Sequence, residues 1–376
     1  MITVSEKDRL WAEGVWEKIR AKTGVQRERL GTGVPYIAVD GRYSDTMESN
    51  MYWWCNGFWP GMLWLLYHGT GEAAYMETAR GIEERLDAAL AGWEGLHHDV
   101  GFMWTLSAGL DFKLTGNRPS RIRQLHAANL LAGRYNPRGR FLRSWNGDKH
   151  GWIIIDCMMN LPILYRASED LGDPRFRYIA VEHTETAMKH LVRQDGSCNH
   201  IAVLDPQNGN LLDTPAGQGY APGSSWSRGQ AWALYGFALA WLHTGEKRYG
   251  ETAKLIAGYY MEEISRCRFV PPVDFRAPCD PEKTDTSSGM IAAAGLLCLA
   301  GQSGGSGQEY YGCAVQILKT LEEKFCGWDP QRDSIVQGGS AQYKDLPGQN
   351  GVPLIYADYF FTEAVHALLH PEFQVW

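Results

Sequence analysis

Apolar residues recur every three to four positions along most of the chain, and clusters of Gly, Pro and Asn interrupt them. This spacing is typical of amphipathic helices, and convincing alternation of apolar and polar residues, which would indicate strands, is almost absent. The pattern predicts about twelve helices, at residues 5–22, 57–68, 72–92, 99–114, 118–134, 152–171, 174–193, 225–243, 247–266, 286–301, 307–326 and 357–369. We therefore expect an all-α fold.

A short signal recurs where predicted helices meet, as in HGTGEAAY at 68–75 and HTGEKRY at 243–249. The Gly in each of these segments suits the positive φ of a helix C-cap. The intervals between the glycines are too irregular for a short-period solenoid and favour a ring of helical hairpins, an (α/α)6 barrel. Because no linker or change of composition divides the chain, we expect one domain spanning 1–376. The long irregular segments 194–224, 267–285 and 327–356 are then predicted to be pocket-forming loops.

Composition and charge narrow the class of protein. The 376 residues, 44% of them hydrophobic, suffice for a large core, so we expect a soluble globular protein. A net charge of −7 with acids and bases interspersed argues against nucleic acid or an anionic membrane as a partner. Charges begin at Glu6 and no apolar run approaches the roughly 18 residues of a membrane span, so we expect no signal peptide, no membrane anchor and a cytoplasmic location.

Cysteine spacing and the familiar cofactor motifs indicate no prosthetic group. The eight cysteines form no Cys-x-x-Cys pair and several lie within predicted helices, which favours reduced, mostly buried thiols. Metal motifs, P-loops and dinucleotide-binding patterns are absent; GGSGQEYY at 304–311 follows a helix and lacks the required Lys. We expect no metal and no organic cofactor, while the sequence leaves the choice between monomer and homo-oligomer open.

The clearest candidate for chemistry is Asp156, in the segment HGWIIIDCMMNLPILY at 150–165. Its flanking residues are isoleucine, cysteine and methionine, so burial should disfavour the charged carboxylate and raise its pKa. A carboxyl that is protonated near neutral pH can act first as a general acid and then as a base. The sequence leaves open a structural alternative, in which Asp156 hydrogen-bonds a neighbouring helix end.

A second acid, Asp99, follows two histidines in LHHDVGFMW and precedes an apolar helix. Asp is a preferred N-cap residue, so the sequence alone favours a capping role here.

The stretch SSWSRGQAWALYGFAL at 224–239 places Arg228, Trp232 and Tyr235 on one helix face. A guanidinium beside flat rings can hold an anionic sugar, because it meets the carboxylate while the rings cover the apolar sugar face. Aromatic stripes are more often ordinary core, but an arginine is not expected there.

Polar loop residues and tryptophans supply further candidates. His200 and Gln218 lie in the long loop region that would rim a pocket, although isolated loop residues usually face solvent. Trp54 lies in MYWWCNGFWPGMLW and Trp145 in RSWNGD, and the 15 tryptophans exceed what core packing normally uses. Sugar-binding clefts are a common reason for such an excess.

The segments NGFWPGMLW, HHDVGF, GWIIIDCMMNLP, DPQNGN, WSRGQAWALYGFAL and DTSSGMIAA resemble, in order and spacing, the unsaturated glucuronyl hydrolases of glycoside hydrolase family 88, over roughly residues 40 to 370. The resemblance implies that Asp156 is the general acid/base and that Asp99 assists it and holds the sugar hydroxyls. It also implies a set of substrate-binding residues, namely Trp54, His98, Trp145, His200, Gln218, Arg228 and Trp232. Gly217 is a departure, because some members carry a histidine there, so the resemblance does not define the subsite contacts at that position.

The resemblance implies an unusual reaction. Polysaccharide lyases leave a uronic acid with a C4=C5 double bond at the non-reducing end, and a carboxylic acid can protonate this vinyl ether at C4. Water then adds at C5, and the resulting hemiketal opens and releases the rest of the sugar. The expected partner is therefore an unsaturated uronic-acid oligosaccharide of glycosaminoglycan type.

Three alternatives stay open from the sequence. An unsaturated rhamnogalacturonyl hydrolase would act on pectin fragments, and a sugar 2-epimerase would need a histidine acid/base pair, for which His200 lacks an evident partner. A non-catalytic glycan-binding toroid would need no desolvated acid. Lys344, in GGSAQYKD, either meets a sulfate group of the substrate or is an ordinary surface lysine.

Overall fold

The computed structural model describes residues 2–376. Thirteen α-helices account for most of this part of the chain: α1 (Glu6–Leu30), α2 (Phe58–Thr70), α3 (Ala73–Gly92), α4 (Val100–Leu106), α5 (Ala108–Thr115), α6 (Arg118–Ala132), α7 (Pro162–Leu171), α8 (Pro174–Leu191), α9 (Ser227–Thr244), α10 (Lys247–Arg266), α11 (Thr286–Gln302), α12 (Gly307–Phe325) and α13 (Ile355–Leu369). Five short strands complete the regular structure: β1 (Tyr135–Asn136), β2 (Phe141–Leu142), β3 (Trp152–Ile154), β4 (Ile201–Leu204) and β5 (Leu211–Asp213).

The helices form two concentric layers. The inner layer consists of α2, α4 with α5, α7, α9, α11 and α13, and the outer layer consists of α1, α3, α6, α8, α10 and α12. The inner helices α9 and α11 are buried on all sides over most of their length: every residue is buried from Ser227 to Ala240 in α9 and from Thr286 to Leu297 in α11. The last helix, α13, packs against α1, α2 and α11 and so closes the ring. This is the predicted (α/α)6 barrel.

The polarity of the inner helices gives the barrel two different ends. At one end, which we call the site end, the first residues of α2, α4, α9, α11 and α13 meet, as the Arg228–Asp285 ion pair and the Trp54–Tyr356 ring contact show. The antiparallel sheet β3-β4-β5 lies on this end. At the far end, the last turns of the same helices meet, as in the contact between His68 and His366.

Three predicted helices differ from the structure, the first of which, predicted at 5–22, continues to Leu30. The predicted helix 152–171 begins as strand β3 and a 3₁₀ turn, Ile155–Asn160, because the β-branched Ile153 and Ile154 pair with Ala202 and Ile201 of β4. The α-helix begins only at Pro162, whose fixed φ suits a first helical position. The predicted helix 99–114 breaks at Ser107, where φ is −96° and ψ is −95°.

The structure also bears on the predictions about cysteines and membrane-spanning helices, but it does not test the domain count. All eight cysteines are free thiols. Within residues 2–376 no helix combines the length and hydropathy needed to cross a bilayer. A single domain spanning 1–376 stays a prediction.

Candidate active site

Asp156 lies in the 3₁₀ turn that follows β3, at the site end of the barrel. Its side chain is 15% exposed, and its Oδ1 atom is buried without a protein hydrogen-bond partner among the described residues. Burial raises the pKa of this carboxyl to about 7, against the opposing effects of the Arg228 charge and a backbone hydrogen bond. The predicted rise in pKa is confirmed, and the unpaired Oδ1 gives no support to a purely structural role.

His200 faces Asp156 from the start of β4. Its Nε2 atom lies 3.8 Å from Asp156 Oδ1, and neither atom has another partner. The Gln218 backbone N–H donates to His200 Nδ1 at 2.9 Å, so the ring proton of the neutral histidine must sit on Nε2. Burial lowers the pKa of His200 to about 3, with the Arg228 charge acting in the same direction. The gap is too long for a direct hydrogen bond but suits a bridging hydroxyl or water.

Asp99 occupies the N-cap position of α4, but its side chain makes no capping hydrogen bond. Instead Asn160 Nδ2 donates to Asp99 Oδ1 at 3.3 Å and to the Asp156 backbone oxygen at 3.3 Å. Burial raises the pKa of Asp99 well above its usual value, and the nearby charge of Asp156 raises it further. The capping prediction is therefore wrong, because the carboxyl contacts Asn160 and the two preceding histidines rather than the helix amides.

His98 lies against Asp99 with its ring held by a backbone carbonyl. Its Nδ1 donates to the Ser144 backbone oxygen at 2.8 Å, which leaves a lone pair on Nε2, 3.3 Å from Asp99 Oδ1. Burial lowers the pKa of His98 well below its usual value, which favours the neutral imidazole. His97, His98 and Asp99 are close enough to share a cation. The fixed tautomer and the protonated acid favour hydrogen bonding at this place instead.

Arg228 is buried and is held by several protein groups. Its Nη1 donates to Asp285 Oδ2 at 2.6 Å, and its two terminal nitrogens reach the backbone oxygens of Ser340 and Ala341, each at 2.5 Å. The guanidinium also lies 4.6 Å from the Trp226 ring centroid. Direct contact with a substrate carboxylate therefore stays a prediction that this geometry does not favour.

Trp232, the second member of the predicted stripe, belongs to the barrel core. It is 0% exposed, with its ring centroid 5.1 Å from that of Phe102 and 5.3 Å from that of Phe360. Contact between Trp232 and a substrate therefore stays a prediction, and in this structure the ring packs inside α9, an inner helix that is buried on every face over most of its length.

Two loops meet at Gln218. Its Nε2 donates to the Ala341 backbone oxygen at 2.5 Å, and its own backbone oxygen accepts from Tyr343 at 2.8 Å. The neighbouring Gly217 has a φ of +60°, and a Cβ there would lie 2.0 Å from His200 Nδ1. This chain therefore has no room for a side chain at 217 while His200 keeps its place.

Lys344 is exposed on the same loop region, as an ordinary surface lysine would be.

Aromatic rings stand on two sides of the acids. Trp54 is half-buried, with ring centroids of Tyr356 at 5.0 Å and of Phe102 at 5.5 Å. On the other side Trp145 lies 5.9 Å from both His98 and Trp152. These positions agree with the predicted packing of Trp54 and Trp145 beside the site.

Several buried polar atoms beside the two acids make no hydrogen bond with the described residues. They are Trp53 Nε1, Asn56 Oδ1, Ser144 Oγ, Asp156 Oδ1, His200 Nε2 and Trp226 Nε1. Other buried polar atoms without a partner lie elsewhere in the barrel, but a polyhydroxylated ligand or ordered water could complete those beside the acids.

Sequence reasoning missed several residues of this site. Asn160 joins the two acids, and its position four residues after Asp156 was a readable signal. Lys149 Nζ lies 4.8 Å from the ring centroids of both Trp145 and Trp152, which makes it the cation nearest that aromatic wall. Asp285 pairs with Arg228 from 57 residues away, and no local pattern announces such a partner.

An (α/α)6 barrel with two buried acids of raised pKa beside aromatic rings has the groups that a carbohydrate-active enzyme needs. The sequence profile of Glycosyl Hydrolase Family 88 matches residues 36–289. An unsaturated glucuronyl hydrolase of Bacillus sp. (strain GL1) is 32% identical over 370 residues, covering 95% of this chain and 96% of that protein. The chain belongs to glycoside hydrolase family 88 and is a glycosidase.

Two further comparisons agree. An unsaturated chondroitin disaccharide hydrolase of Streptococcus pyogenes serotype M1 is 35% identical over 321 residues, covering 83% of this chain and 80% of that protein. The crystal structure of the unsaturated glucuronyl hydrolase from Bacillus sp. GL1, described as responsible for the degradation of glycosaminoglycan, superposes with a TM-score of 0.89 at 31% identity. That superposition covers 94% of this chain and 96% of the other.

Proposed function

We propose that this glycosidase releases 4,5-unsaturated glucuronic acid from the non-reducing end of lyase-generated oligosaccharides by hydrating the C4=C5 double bond. The observation that carries the proposal is Asp156, a carboxyl with a pKa of about 7 whose Oδ1 has no protein partner. A group with this pKa is protonated often enough to donate near neutral pH, and its conjugate base is strong enough to take a proton back.

The proposed reaction balances with one carboxyl. Asp156 donates its proton to C4, and the double bond electrons form the new C4–H bond while positive charge develops at C5 and the ring oxygen. The Asp156 carboxylate then removes a proton from water as the water oxygen bonds to C5. The product is a hemiketal, which opens to a ketone and frees the remaining sugar. The enzyme regains its protonated Asp156.

The neighbouring groups support this cycle without titrating during it. His200 is neutral and turns its Nε2–H toward the gap beside Asp156, where it is placed to hold a hydroxyl or the attacking water. Burial and the Asp156 charge raise the pKa of Asp99 well above its usual value, which favours its protonated form while Asp156 cycles. We propose that Asp99 binds sugar hydroxyls, because its coupling to Asp156 penalises a second negative charge.

A substrate of glycosaminoglycan type is the best-supported choice. The relatives named for unsaturated glucuronyl and chondroitin disaccharide substrates cover four fifths or more of this chain. The pectin-directed alternative, an unsaturated rhamnogalacturonyl hydrolase, is separated by comparing turnover of chondroitin or hyaluronan disaccharides with that of pectin-derived ones. A cytoplasmic location belongs to the proposal as well, and the eight free thiols support a reducing compartment.

The deciding experiment measures where deuterium from the solvent enters the product, rather than how fast the product forms. In heavy water, hydration should place deuterium at C4 on one face only, while attack at C1 would leave the alkene intact and unlabelled. Product is trapped early by reduction and compared with an exchange control, since the ketone can exchange its C4 hydrogens by enolisation. Loss of the ultraviolet absorbance of the conjugated alkene provides the rate.

The same experiment separates the rival classes. Deuterium no higher than in the exchange control, together with a product that retains its double bond, would overturn hydration. A non-catalytic glycan-binding toroid would bind the disaccharide and leave its absorbance unchanged.

A further inference from the structure

A cluster of three histidines lies at the far end of the barrel, where the ring closes. His68 stands in the last turn of α2, His366 in the last turn of α13, and His370 directly after α13. Since α13 packs against α1 and α2, this cluster joins the first and last parts of the chain. It is separated from the site end by the 15 residues of α13, about 22 Å of helix, so the proposed glycosidase chemistry makes no use of it.

The three rings form a nearly equilateral arrangement. Their centroids lie 5.0 Å apart for His68 and His366, 5.1 Å for His68 and His370, and 4.6 Å for His366 and His370. One ligand nitrogen from each residue lies within 4.8 Å of the other two. Three imidazoles on a tetrahedral ion, with metal–nitrogen bonds of about 2.0–2.1 Å, have centroids about 5 Å apart.

Side chains around the cluster hold the rings in place. His366 is 1% exposed and lies 5.6 Å from the Trp16 ring of α1, while His68 stacks on Phe373 at 4.1 Å. Glu372 Oε1 lies 3.8 Å from His370 Nδ1 and brings a negative charge to the open side of the cluster. A cation nearby works against this: Lys113 Nζ lies 4.9 Å from the Phe373 ring.

We propose that His68, His366 and His370 bind one divalent transition-metal ion, with zinc as the favoured occupant. The ion would link α2 to α13 at the seam of the barrel, the place where α13 and α2 meet α1. Imidazole nitrogens suit zinc, copper and nickel rather than calcium or magnesium. The Glu372 carboxylate or a water completes four-coordination. The 2.9 Å contact between His68 Nδ1 and His366 Nε2 would open to about 3.3 Å, the spacing of two nitrogens on a tetrahedral zinc ion.

The expected consequence is stability rather than catalysis. His68 and His366 are 298 residues apart in sequence, so an ion that binds both restrains almost the whole unfolded chain. Zinc at a hundredfold excess over its Kd should raise Tm by about 3 °C or more. Turnover at saturating substrate should change by less than twofold.

The test uses protein dialysed against a chelator. One sample is titrated with Co²⁺, whose visible absorption reports tetrahedral coordination, and a second is unfolded thermally at increasing Zn²⁺ concentration. We expect one Co²⁺ per chain and a zinc-dependent rise in Tm, both lost in His68→Gln and His370→Gln. Two controls should keep both signals: His126→Gln, at an exposed position of α6, and His97→Gln, in the other cluster of possible ligands within residues 2–376.

Two results would overturn the proposal. One is a wild-type protein that shows neither the cobalt absorption nor a Tm shift; the other is unchanged binding in both histidine variants, which would mean that these rings only hydrogen-bond and pack. His370→Cys keeps the test decisive if a Gln variant fails to fold, because the thiolate should retain the ion and add a sulfur-to-cobalt charge-transfer band. Absence of that band in a folded His370→Cys protein would also overturn the site.

Discussion

At the scale of single residues, the site depends on where protons sit. Asp156 and Asp99 both have raised pKa values, whereas His98 and His200 have lowered ones, and burial is the first cause in each case. At neutral pH these shifts favour the neutral forms of Asp99, His98 and His200, while Asp156 lies near its titration midpoint. A raised pKa for Asp156 could be predicted from its apolar neighbours in sequence. The tautomers could not, because Ser144 and Gln218 fix them from distant segments.

Replacing Asp156 with Asn removes the proton donor and leaves the shape of the side chain. We expect kcat to fall by about 10²–10⁴, measured as loss of alkene absorbance, while disaccharide binding persists. Asp213→Asn, an exposed acid on β5, is the control and should retain full activity. Activity of Asp156→Asn within about threefold of wild type would exclude this residue as the acid.

The pH profile should have one limb near neutrality. Because Asp156 must be protonated to start the reaction, kcat/KM should fall tenfold per unit as pH rises above about 7. His200, with its pKa lowered to about 3, should add no limb between pH 5 and 8. A profile that rises through pH 7 would show that the carboxylate, not the acid, is the starting form.

The same raised pKa predicts a change in stability. A buried acid that titrates higher in the folded state stabilises the fold fully below its unfolded pKa, and this contribution is lost as pH rises through about 7. Asp156→Asn should therefore unfold at a higher temperature than wild type at pH 8 but not at pH 4. Between these two pH values the wild type should lose about 1.4 kcal/mol in free energy of unfolding for each pH unit that separates the unfolded and folded pKa values of Asp156. Equal effects at the two pH values would contradict the assigned shift.

Gly217 provides a residue-scale test of the histidine that faces Asp156. Gly217→Ala places a Cβ 2.0 Å from His200 Nδ1 and forces an alanine to a φ of +60°. We expect displacement of His200 and a loss of kcat/KM of about tenfold or more, in line with the cost of misplaced catalytic groups. Gly223→Ala, in the same loop at a φ of +78° but with no atom within 4 Å, controls for backbone strain alone.

At the scale of elements, the apolar pattern predicted most of the ring, including the fully buried helices α9 and α11, and failed at the short apolar run that forms β3. The α10 bounds agree with the prediction, since a helix with one exposed face alternates clearly. Strand β3 and the turn after it were predicted as helix, because Ile153, Ile154 and Ile155 form a continuous apolar run that suits either structure. The pairing with β4, 47 or more residues later, decides between them, and no local pattern contains it.

Arg228 links helix α9 to Asp285 and to the backbone oxygens of Ser340 and Ala341. Removing its side chain should therefore lower the free energy of unfolding before it affects binding. Arg228→Ala leaves Asp285 buried and unpaired, which costs about 3–5 kcal/mol in free energy of unfolding. The double variant Arg228→Met with Asp285→Asn should recover much of this, because no lone buried charge remains. If Arg228→Ala keeps wild-type stability but binds the uronate far more weakly than its methyl ester, the residue meets the substrate carboxylate after all.

At the scale of the whole molecule, the ring depends on a single seam where α13 and α2 meet α1. Gly69 lies in that seam, and a Cβ there would come 2.5 Å from Cζ2 of Trp16, which in turn packs on His366. We expect Gly69→Ala to push α1 away from the last turn of α2 and to cost about 1–3 kcal/mol, the usual penalty of overpacking. Because the seam lies at the far end, turnover per folded molecule should be unchanged.

A second glycine provides a matched control for Gly69→Ala. Gly14 lies in α1 itself, exposed and with no atom within 4 Å of the place where a Cβ would lie, so Gly14→Ala should stabilise the protein by about 0.5–1 kcal/mol through helix propensity alone. Two identical chemical changes in neighbouring helices should thus move Tm in opposite directions. Thermal unfolding followed by circular dichroism measures both. A stabilising Gly69→Ala would mean that α1 does not close the ring as described, and that the barrel tolerates a looser seam.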